Sequence, residues 1–465
     1  MSVHPHQQPA DPDEPDFAAM LASLLGGADN PEVAKALGAM GIDKIDPAAM
    51  GMIGAQLKAM LSGGPAEPFN LELATDVARK SVAAQGDSIV GDAARREIEQ
   101  AVQIAGLWLD DVTDLSATGG AVHAWSRAEW VDRTMPMWRE LVEPVAAGVS
   151  TAVVAAMRAQ MGQLGEGDGP AAMPGLPAGM DPGALMDQME PMLARMSGSM
   201  FGAQVGQAVG ALAGDLVSGT DVGLPLVPGH GVVLLPANIE TFAQGLEVDL
   251  AEVRLYLAVR EAARVRLFAQ VAWLGPQLVA AVQAYARDIS IDTEGIESAL
   301  QSIDPSDPVA MQSALANSLF APEPSPAQRS ALVRLETYLA LVEGWVDVVA
   351  DRATSTHLPH TAALGEAVRR RRASGGPAER VFSQLVGLEL RPRRLRDAAN
   401  LWAALESKGG AAARDGAWAH PDVAPTAADL DDPLGYVDRF ISGDARDEMD
   451  AALDALLSEG DSSNT

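Results

Sequence analysis

The residues of this chain best arranged for chemistry are three charges in one predicted helix. Arg260 and Arg264 lie four residues apart and Glu261 follows the first of them, in the segment Arg-Glu-Ala-Ala-Arg. Two histidines at this spacing bind Zn²⁺ from one helical face, and a glutamate between them serves as general base. A guanidinium group stays protonated and is not a zinc ligand. The sequence therefore predicts a vestigial general base, Glu261, and no zinc held by positions 260 and 264.

A second pair of charges can complete this cluster. Glu343 and Asp347 are also four residues apart, in the otherwise apolar segment Leu339–Val349. Like charges four apart on a helix repel, so the two arginines need further acids nearby. Bidentate pairing of guanidinium with carboxylate would hold the three acids much as a metal ion does. We expect a salt-bridge cluster, with ordinary surface pairs on two unrelated helices as the alternative.

The helix that carries the first three charges is predicted to be buried. Asp249 is a plausible N-cap, and Glu252 stands three residues later, as in a capping box. From Val253 to Phe268 an apolar residue faces nearly every direction around the helix. The segment Gly223–Pro236 is the best strand candidate, with Pro228–Gly231 as its turn.

Five glycines spaced four apart predict close packing of another helix. They are Gly198, Gly202, Gly206, Gly210 and Gly214. The stretch Met196–Gly214 has no charge, and small residues on one face also pack transmembrane helices. Its serines and glutamines make it too polar for a lone membrane span. We therefore expect another backbone to approach it inside a soluble core, and the candidate is the predicted helix that carries Arg260, Glu261 and Arg264, here called the motif helix.

The pattern along the chain predicts six parts. These are a disordered N-terminus (1–15), a short-helix appendage (16–64), an N-terminal helical part (65–161), a Gly/Pro linker (162–183), a core with the degenerate motif (184–435) and an acidic C-terminal tail (436–465). Within the helical part we expect helices at Leu71–Ala84, Ala93–Trp108 and Arg127–Met157, the last interrupted near Pro136 and Pro144.

Composition excludes several classes of function. The chain has 465 residues, 48% of them hydrophobic, and no cysteine, which excludes disulfides, thiolate metal sites and cysteine nucleophiles. A net charge of −30 argues against binding to nucleic acid or to an anionic membrane. No secretory signal is visible, so a cytoplasmic location is expected. The familiar serine-hydrolase, phosphate-loop and dinucleotide motifs are missing.

Charge is unevenly distributed near the C-terminus. Asp429–Asp461 holds eleven acids, while Gly365–Arg396 holds nine arginines, including the run Arg369–Arg372. Charge runs are usually solvated faces, so we expect a solvated basic helix end beside an acidic tail. Pairing between the two segments, within or between subunits, is the alternative.

Several segments make the chain resemble a known family. They are WSRAEWVDRTMPMWREL (Trp125–Leu141), VGQAVGALAGDLVSGTDVGLPL (Val205–Leu226), VLLPANIETFAQGLEVDLAEVRLYLAVREAARVRLFAQVAWL (Val233–Leu274), LALVEGWVDVV (Leu339–Val349), RRRRASGGPAERVFSQLVGLELRPRRLRDAA (Arg369–Ala399) and WAHPDVAPTAADLDDP (Trp418–Pro433). From about Pro65 to Pro433 the chain resembles an actinobacterial zincin-like family of hydrolases or zinc-dependent metalloproteases, one branch of which is associated with deazaflavin-coenzyme biosynthesis.

This resemblance implies a mainly α fold with a small β element and a zincin-like metallopeptidase core. It also implies a zinc cofactor, with Glu343 matching the carboxylate that serves as third ligand on a following helix. In many such folds an edge strand beside the motif helix holds substrate, which makes His230 a cleft candidate, although a turn histidine is usually solvated. The chain departs from the family at Arg260 and Arg264, so we expect no cofactor.

The function expected from these residues is non-catalytic. We expect a metal-independent relative of metallohydrolases, a pseudoenzyme that binds a peptide or protein in the inherited cleft. One alternative is an active zinc-dependent metalloprotease or hydrolase with non-standard ligands, or one in which Glu261 activates water without metal and loses several kcal/mol of transition-state stabilisation. Another is a structural oligomeric scaffold built on the five glycines spaced four apart between Gly198 and Gly214, here called the glycine ladder. The sequence does not determine the oligomeric state.

Overall fold

The computed structural model describes residues 67–165, 182–287, 325–373 and 394–443. In these ranges the chain forms twelve α-helices, one short 3₁₀ segment and a two-stranded parallel sheet. The prediction of a mainly α fold with a small β element is confirmed. The predictions for residues 1–15 and 16–64, for most of the linker at 162–183 and for the tail after residue 443 lie outside the described residues.

The elements follow one another in a simple order. The helices are α1 (Leu71–Ala84), α2 (Asp92–Asp110), α3 (Arg127–Gly165), α4 (Pro182–Asp215), α5 (Pro236–Ala243), α6 (Leu250–Gln270), α7 (Leu274–Arg287), α8 (Pro326–Thr354), α9 (Thr361–Ala373), α10 (Leu395–Gly416), α11 (Ala427–Asp431) and α12 (Pro433–Ser442). The strands are β1 (Val122–Ala124) and β2 (Val232–Leu234), and the 3₁₀ segment is Pro228–His230.

The third helix corrects one prediction. Helix α3 runs from Arg127 to Gly165 with Pro136 and Pro144 inside it, so the expected interruption is wrong. A proline inside a helix costs about 3 kcal/mol because it removes a hydrogen bond and crowds the preceding turn. Around the two prolines α3 buries Trp130, Met135, Trp138, Leu141, Val142 and Val145. Burying each such side chain contributes about 1.5–3 kcal/mol, which outweighs the two prolines.

The glycine ladder packs against a backbone, as predicted, but its partner is α1 rather than the motif helix α6. A Cβ at Gly206 would lie 2.3 Å from the carbonyl oxygen of Ala74, and one at Gly210 would lie 2.8 Å from that of Ala78. Only glycine permits so close an approach. None of the described helices is by itself long and apolar enough to cross a membrane, and the pair α6–α7, bent by 89°, passes that test only when the two are taken together.

The small sheet lies beside the motif helix, and both edges of β2 are paired. On one side β1 runs parallel to it, with Val122 opposite Val232. On the other side Gly219 N donates to Val233 O at 2.9 Å, and Leu235 N donates to Val217 O at 3.1 Å. The strand predicted within 223–236 is present, shortened to three residues.

Helix α6 occupies the middle of the core. Residues Tyr256–Phe268 are buried without a break, and the helix packs against α2, α8 and β2. Asp249 caps it by accepting a hydrogen bond from Ala251 N at 2.7 Å. Glu252 does not complete a capping box. It accepts instead from the backbone N–H of His360, at 2.7 Å, and so ties the start of α9 to α6.

Candidate functional site

The structure brings the charges of α6 and α8 together in the core. Arg264 Nε lies 2.9 Å from Glu343 Oε1, and Arg264 Nη2 lies 3.3 Å from Glu343 Oε2. Arg260 Nη2 also reaches Glu343 Oε2, at 3.3 Å, and its Nη1 reaches Asp347 Oδ1 at 2.8 Å. The predicted salt-bridge contacts are present. The alternative of ordinary surface pairs is wrong, because Arg260, Arg264 and Glu343 have side chains no more than 5% exposed.

Glu261 is fully buried and accepts four hydrogen bonds. Ser218 Oγ donates to Oε2 at 2.7 Å, Thr220 Oγ1 at 2.8 Å and Arg264 Nη1 at 2.9 Å, while the backbone N–H of Thr220 donates to Oε1 at 3.0 Å. Burial raises the pKa of Glu261, and Arg264 and the two hydroxyl residues oppose that shift. A general base has to reach a substrate or water, and here protein donors already surround the carboxylate.

Three arginines of α9 join the same cluster, which the sequence did not predict. Arg369 Nη1 lies 3.0 Å from Asp347 Oδ2, and Arg372 Nη2 lies 3.0 Å from Glu343 Oε2. Arg371 contacts Asp221 through both Nη1 and Nη2, each 2.9 Å from Oδ2. The expectation of a solvated basic helix end is wrong for Arg371 and Arg372, whose side chains are 19% and 16% exposed, whereas Arg369 is 51% exposed and also pairs with Glu366. It holds for Arg370, which is 77% exposed and pairs with Glu366 on the surface.

Asp221 is the fourth carboxylate of the cluster and lies in the segment that follows α4. Its side chain is buried, and its Oδ2 also accepts from Val217 N at 3.2 Å. Burial alone would raise the pKa of Asp221, but Arg371, Arg372 and Arg264 outweigh it and hold that pKa well below its ordinary value. The carboxylate therefore stays ionised and fixes the end of α9 to the sheet region.

The same balance of burial and charge governs the two acids of α8. Burial would raise the pKa of Glu343, but Arg264, Arg372 and Arg260 lower it below its ordinary value. The pKa of Asp347 is also lowered, because Arg260 and Arg369 outweigh its burial. We call the set of Asp221, Glu261, Glu343, Asp347, Arg260, Arg264, Arg369, Arg371 and Arg372 the arginine cluster. It joins α6, α8 and α9 to the segment after α4.

The residues of the arginine cluster do not fit a zinc ion. Zinc in proteins is held by histidine, cysteine and carboxylate ligands. The chain has no cysteine, and within the described ranges no three His, Asp or Glu side chains are grouped as metal ligands. Positions 260 and 264 carry guanidinium groups that point at Glu343, the expected third ligand. Both oxygens of that carboxylate are engaged by arginine.

His230 lies apart from these contacts. It is exposed on the turn before β2, with a positive φ of 53°, and its carbonyl accepts from Thr118 Oγ1 at 3.2 Å. Because β2 is paired on both edges, a peptide cannot bind by adding a strand to it. The structure therefore does not bring His230 into the arginine cluster, and strand addition beside the motif helix is closed.

The segment Trp418–Pro433, whose role the sequence left undetermined, packs within the fold. Trp418 stacks on Trp402 with ring centroids 5.0 Å apart, and its carbonyl accepts from Trp273 Nε1 at 2.9 Å. Arg394 pairs with Asp431 at 2.9 Å, which is one contact between the basic and acidic segments. These contacts hold the C-terminal helices in place and involve no member of the arginine cluster.

Comparison with known proteins identifies relatives of the fold. A family described as zincin-like metallopeptidase matches residues 69–437. The chain is also similar to a crystal structure from Chloroflexus aurantiacus, described as a "putative hydrolase with a novel fold", with 15% identity, a TM-score of 0.55, and coverage of 80% of this chain and 98% of that one. No curated protein matches the chain.

Proposed function

We propose that this chain, which belongs to the zincin-like metallopeptidase family, is a non-catalytic member that binds a peptide or protein. The observation that carries the proposal is the state of Glu261. Its carboxylate accepts four hydrogen bonds from Ser218, Thr220 and Arg264 and has no exposed surface. A carboxylate in that environment is a structural acceptor rather than a base poised to take a proton from water.

The arginines support the same proposal. Where metal ligands would stand in the motif, Arg260 and Arg264 pair with Glu343 and Asp347. Charge-assisted contacts of this kind hold α6 and α8 together without a metal. The positions that would bind and activate a water molecule thus carry residues that join helices. Binding of a peptide or protein at the surface of this site does not require that water.

The two alternatives have less support from the described contacts. A hydrolase, which is the activity named for the Chloroflexus protein, would need Glu261 to exchange its four donors for a substrate. A scaffold assembled through the glycine ladder would need that face to be free, but α1 of the same chain covers it.

Peptide hydrolysis tests the proposal. The full chain, with and without added Zn²⁺, is incubated with a mixture of unstructured peptides, and cleavage is followed by mass spectrometry beside a Glu261→Gln variant. We expect no difference between the two proteins and no time-dependent cleavage. Cleavage by the wild-type chain that Glu261→Gln abolishes would refute the non-catalytic role.

A further inference from the structure

The last turn of α9 is attached differently from the rest of that helix. Its first turns bury Leu364 and Val368, and the Glu252 carboxylate binds the backbone just before it. The last turn, Arg369–Arg372, has no apolar side chain. Its described contacts are ion pairs and hydrogen bonds, with the Arg371 guanidinium also 5.8 Å from the Phe242 ring centroid. Charge holds this turn in place.

The surface beneath that turn is acidic. The three carboxylates that the turn contacts, Asp221, Glu343 and Asp347, outnumber the two guanidinium groups of α6, one of which also pairs with the buried Glu261. The turn adds three guanidinium groups to this excess of acid. Within the described ranges the ion pairs of Asp221 are formed with Arg371 and Arg372, so its direct ionic partners belong to α9.

The shape of the contacts selects guanidinium over ammonium. Arg371 directs two nitrogens at one carboxylate, and Arg372 uses Nη2 to reach both Asp221 and Glu343. Both Arg371 nitrogens donate to the same oxygen, Asp221 Oδ2, and Nη2 also donates to the carbonyl of Asp215, so this contact uses two separate nitrogens where lysine offers one. The Arg371 contact therefore favours arginine over lysine, whereas Arg369 and Arg372 each reach the acids through one nitrogen.

We infer that the last turn of α9 is an internal ligand, and that the surface beneath it binds an arginine-rich segment of a partner protein that displaces the turn. This inference rests on the proposed function, because it names the class of ligand for the non-catalytic site. The partner would replace each ion pair with an equivalent one. Because the turn is part of the same chain, it competes for the acidic surface at an effective concentration of about millimolar. It therefore lowers the apparent affinity of the surface for the partner segment, which has to displace the turn in order to bind.

A binding experiment with the full chain tests the displacement. The probe is a fluorescent peptide with the sequence of residues 361–373, and its anisotropy is measured with wild type, Arg371→Ala/Arg372→Ala and Arg370→Ala. We expect the double variant to bind about tenfold more tightly or better, because it lacks the competing turn. Arg370→Ala is the matched control and should bind like wild type, since the described ion pair of Arg370 is with the surface residue Glu366.

The recognition chemistry is tested on the same variant. Changing the four arginines of the probe to glutamine should abolish binding, and changing them to lysine should weaken it. Adding Asp221→Asn to the double variant should also weaken binding of the unaltered probe. A correctly folded double variant that binds the probe no more tightly than wild type would overturn the inference. So would equal binding of the glutamine probe.

A measurement on wild type covers the case in which the double variant does not fold. Amide hydrogen exchange is followed with and without millimolar probe. We expect faster exchange at the last turn of α9 when the probe is present and no change at residues 362–366. Unchanged exchange throughout α9 would contradict displacement. Cleavage of the probe would refute the non-catalytic role and leave arginine recognition standing, whereas absence of both binding and cleavage would refute only the inference.

Discussion

Arg264 contacts Glu343 at two points across the interface of α6 and α8, with Nε 2.9 Å from Oε1 and Nη2 3.3 Å from Oε2. In the zinc-binding pattern of two histidines four residues apart, a histidine stands at the position of Arg264, and the resemblance implies Glu343 as the third ligand. Here the same pair of positions forms a direct link between the helices. We therefore propose that guanidinium groups take the place of a metal ion in holding the carboxylates.

Removing Glu343 should strongly destabilise the fold. Glu343→Ala leaves Arg260, Arg264 and Arg372 without a shared partner in a buried site, and such a change typically costs about 3–5 kcal/mol. Thermal and chemical denaturation measure the loss. Glu366→Ala removes an exposed carboxylate that pairs with arginines at the surface and should leave the melting temperature almost unchanged. Equal effects of the two substitutions would place Glu343 in a weak surface network.

Acid should destabilise the protein through the arginine cluster. The pKa values of Asp221, Glu343 and Asp347 are lowered in the folded state, so the unfolded chain binds more protons. Their stabilisation is present above the unfolded values of about 4 and is lost as the pH falls below them. Glu261 has a raised pKa and acts in the opposite direction, so it offsets part of the loss.

Melting temperatures measured between about pH 7 and pH 3 test this balance. We expect the melting temperature to fall towards the acid end. Asp221→Asn removes one of the groups that titrate and should make that fall shallower. A melting temperature that rises on acidification would mean that Glu261 dominates and that the arginines do not control the three other acids.

The glycine ladder gives a test of close packing with an internal control. Gly206→Ala would place a Cβ 2.3 Å from Ala74 O and 2.9 Å from Val77 Cβ, and overpacking of this kind costs about 1–3 kcal/mol. Gly148 lies exposed on α3, with nothing within 4 Å of an added Cβ. Gly148→Ala should stabilise the protein by about 0.5–1 kcal/mol, because alanine favours helix over glycine. Opposite signs in denaturation would confirm the α1–α4 interface, and equal signs would contradict it.

Local pattern was enough to predict part of the arginine cluster. Glu343 and Asp347 stand out because charges inside an apolar helix need partners, and the spacing of Arg260 and Arg264 puts both on one face. The limits of α1 also follow from its pattern, with Asn70 accepting a cap hydrogen bond from Leu73 N at 3.0 Å. These features depend on residues close together in sequence.

The remainder depends on contacts that no local pattern encodes. Arg371 and Asp221 are 150 residues apart, and a run of arginines at a helix end looks the same whether it is solvated or buried against acids. Ser218 and Thr220 lie in a mainly apolar stretch, and hydroxyl groups in such a stretch indicate a buried polar partner. Nothing in the local sequence identifies that partner as Glu261. The glycine ladder likewise predicts close approach of a backbone without specifying α1.

Restoring histidine at the two motif positions tests whether the site kept its geometry. Arg260→His with Arg264→His would place two imidazoles and Glu343 together, which is a three-ligand set for zinc. Calorimetric titration should show zinc binding that is much tighter than in wild type and that is lost when Glu343→Ala is added. A folded double variant that binds zinc no better than wild type would show that the helices are not spaced for a metal.

The zinc content of the wild-type chain tests the proposed replacement of a metal ion by arginine most directly. The protein is purified without chelator and without metal-affinity resin, and its metals are measured by elemental analysis. Because Arg260 and Arg264 occupy the ligand positions and also engage Glu343, we predict no stoichiometric zinc. About one zinc per chain, lost on Glu343→Gln, would contradict the replacement of the metal by arginine.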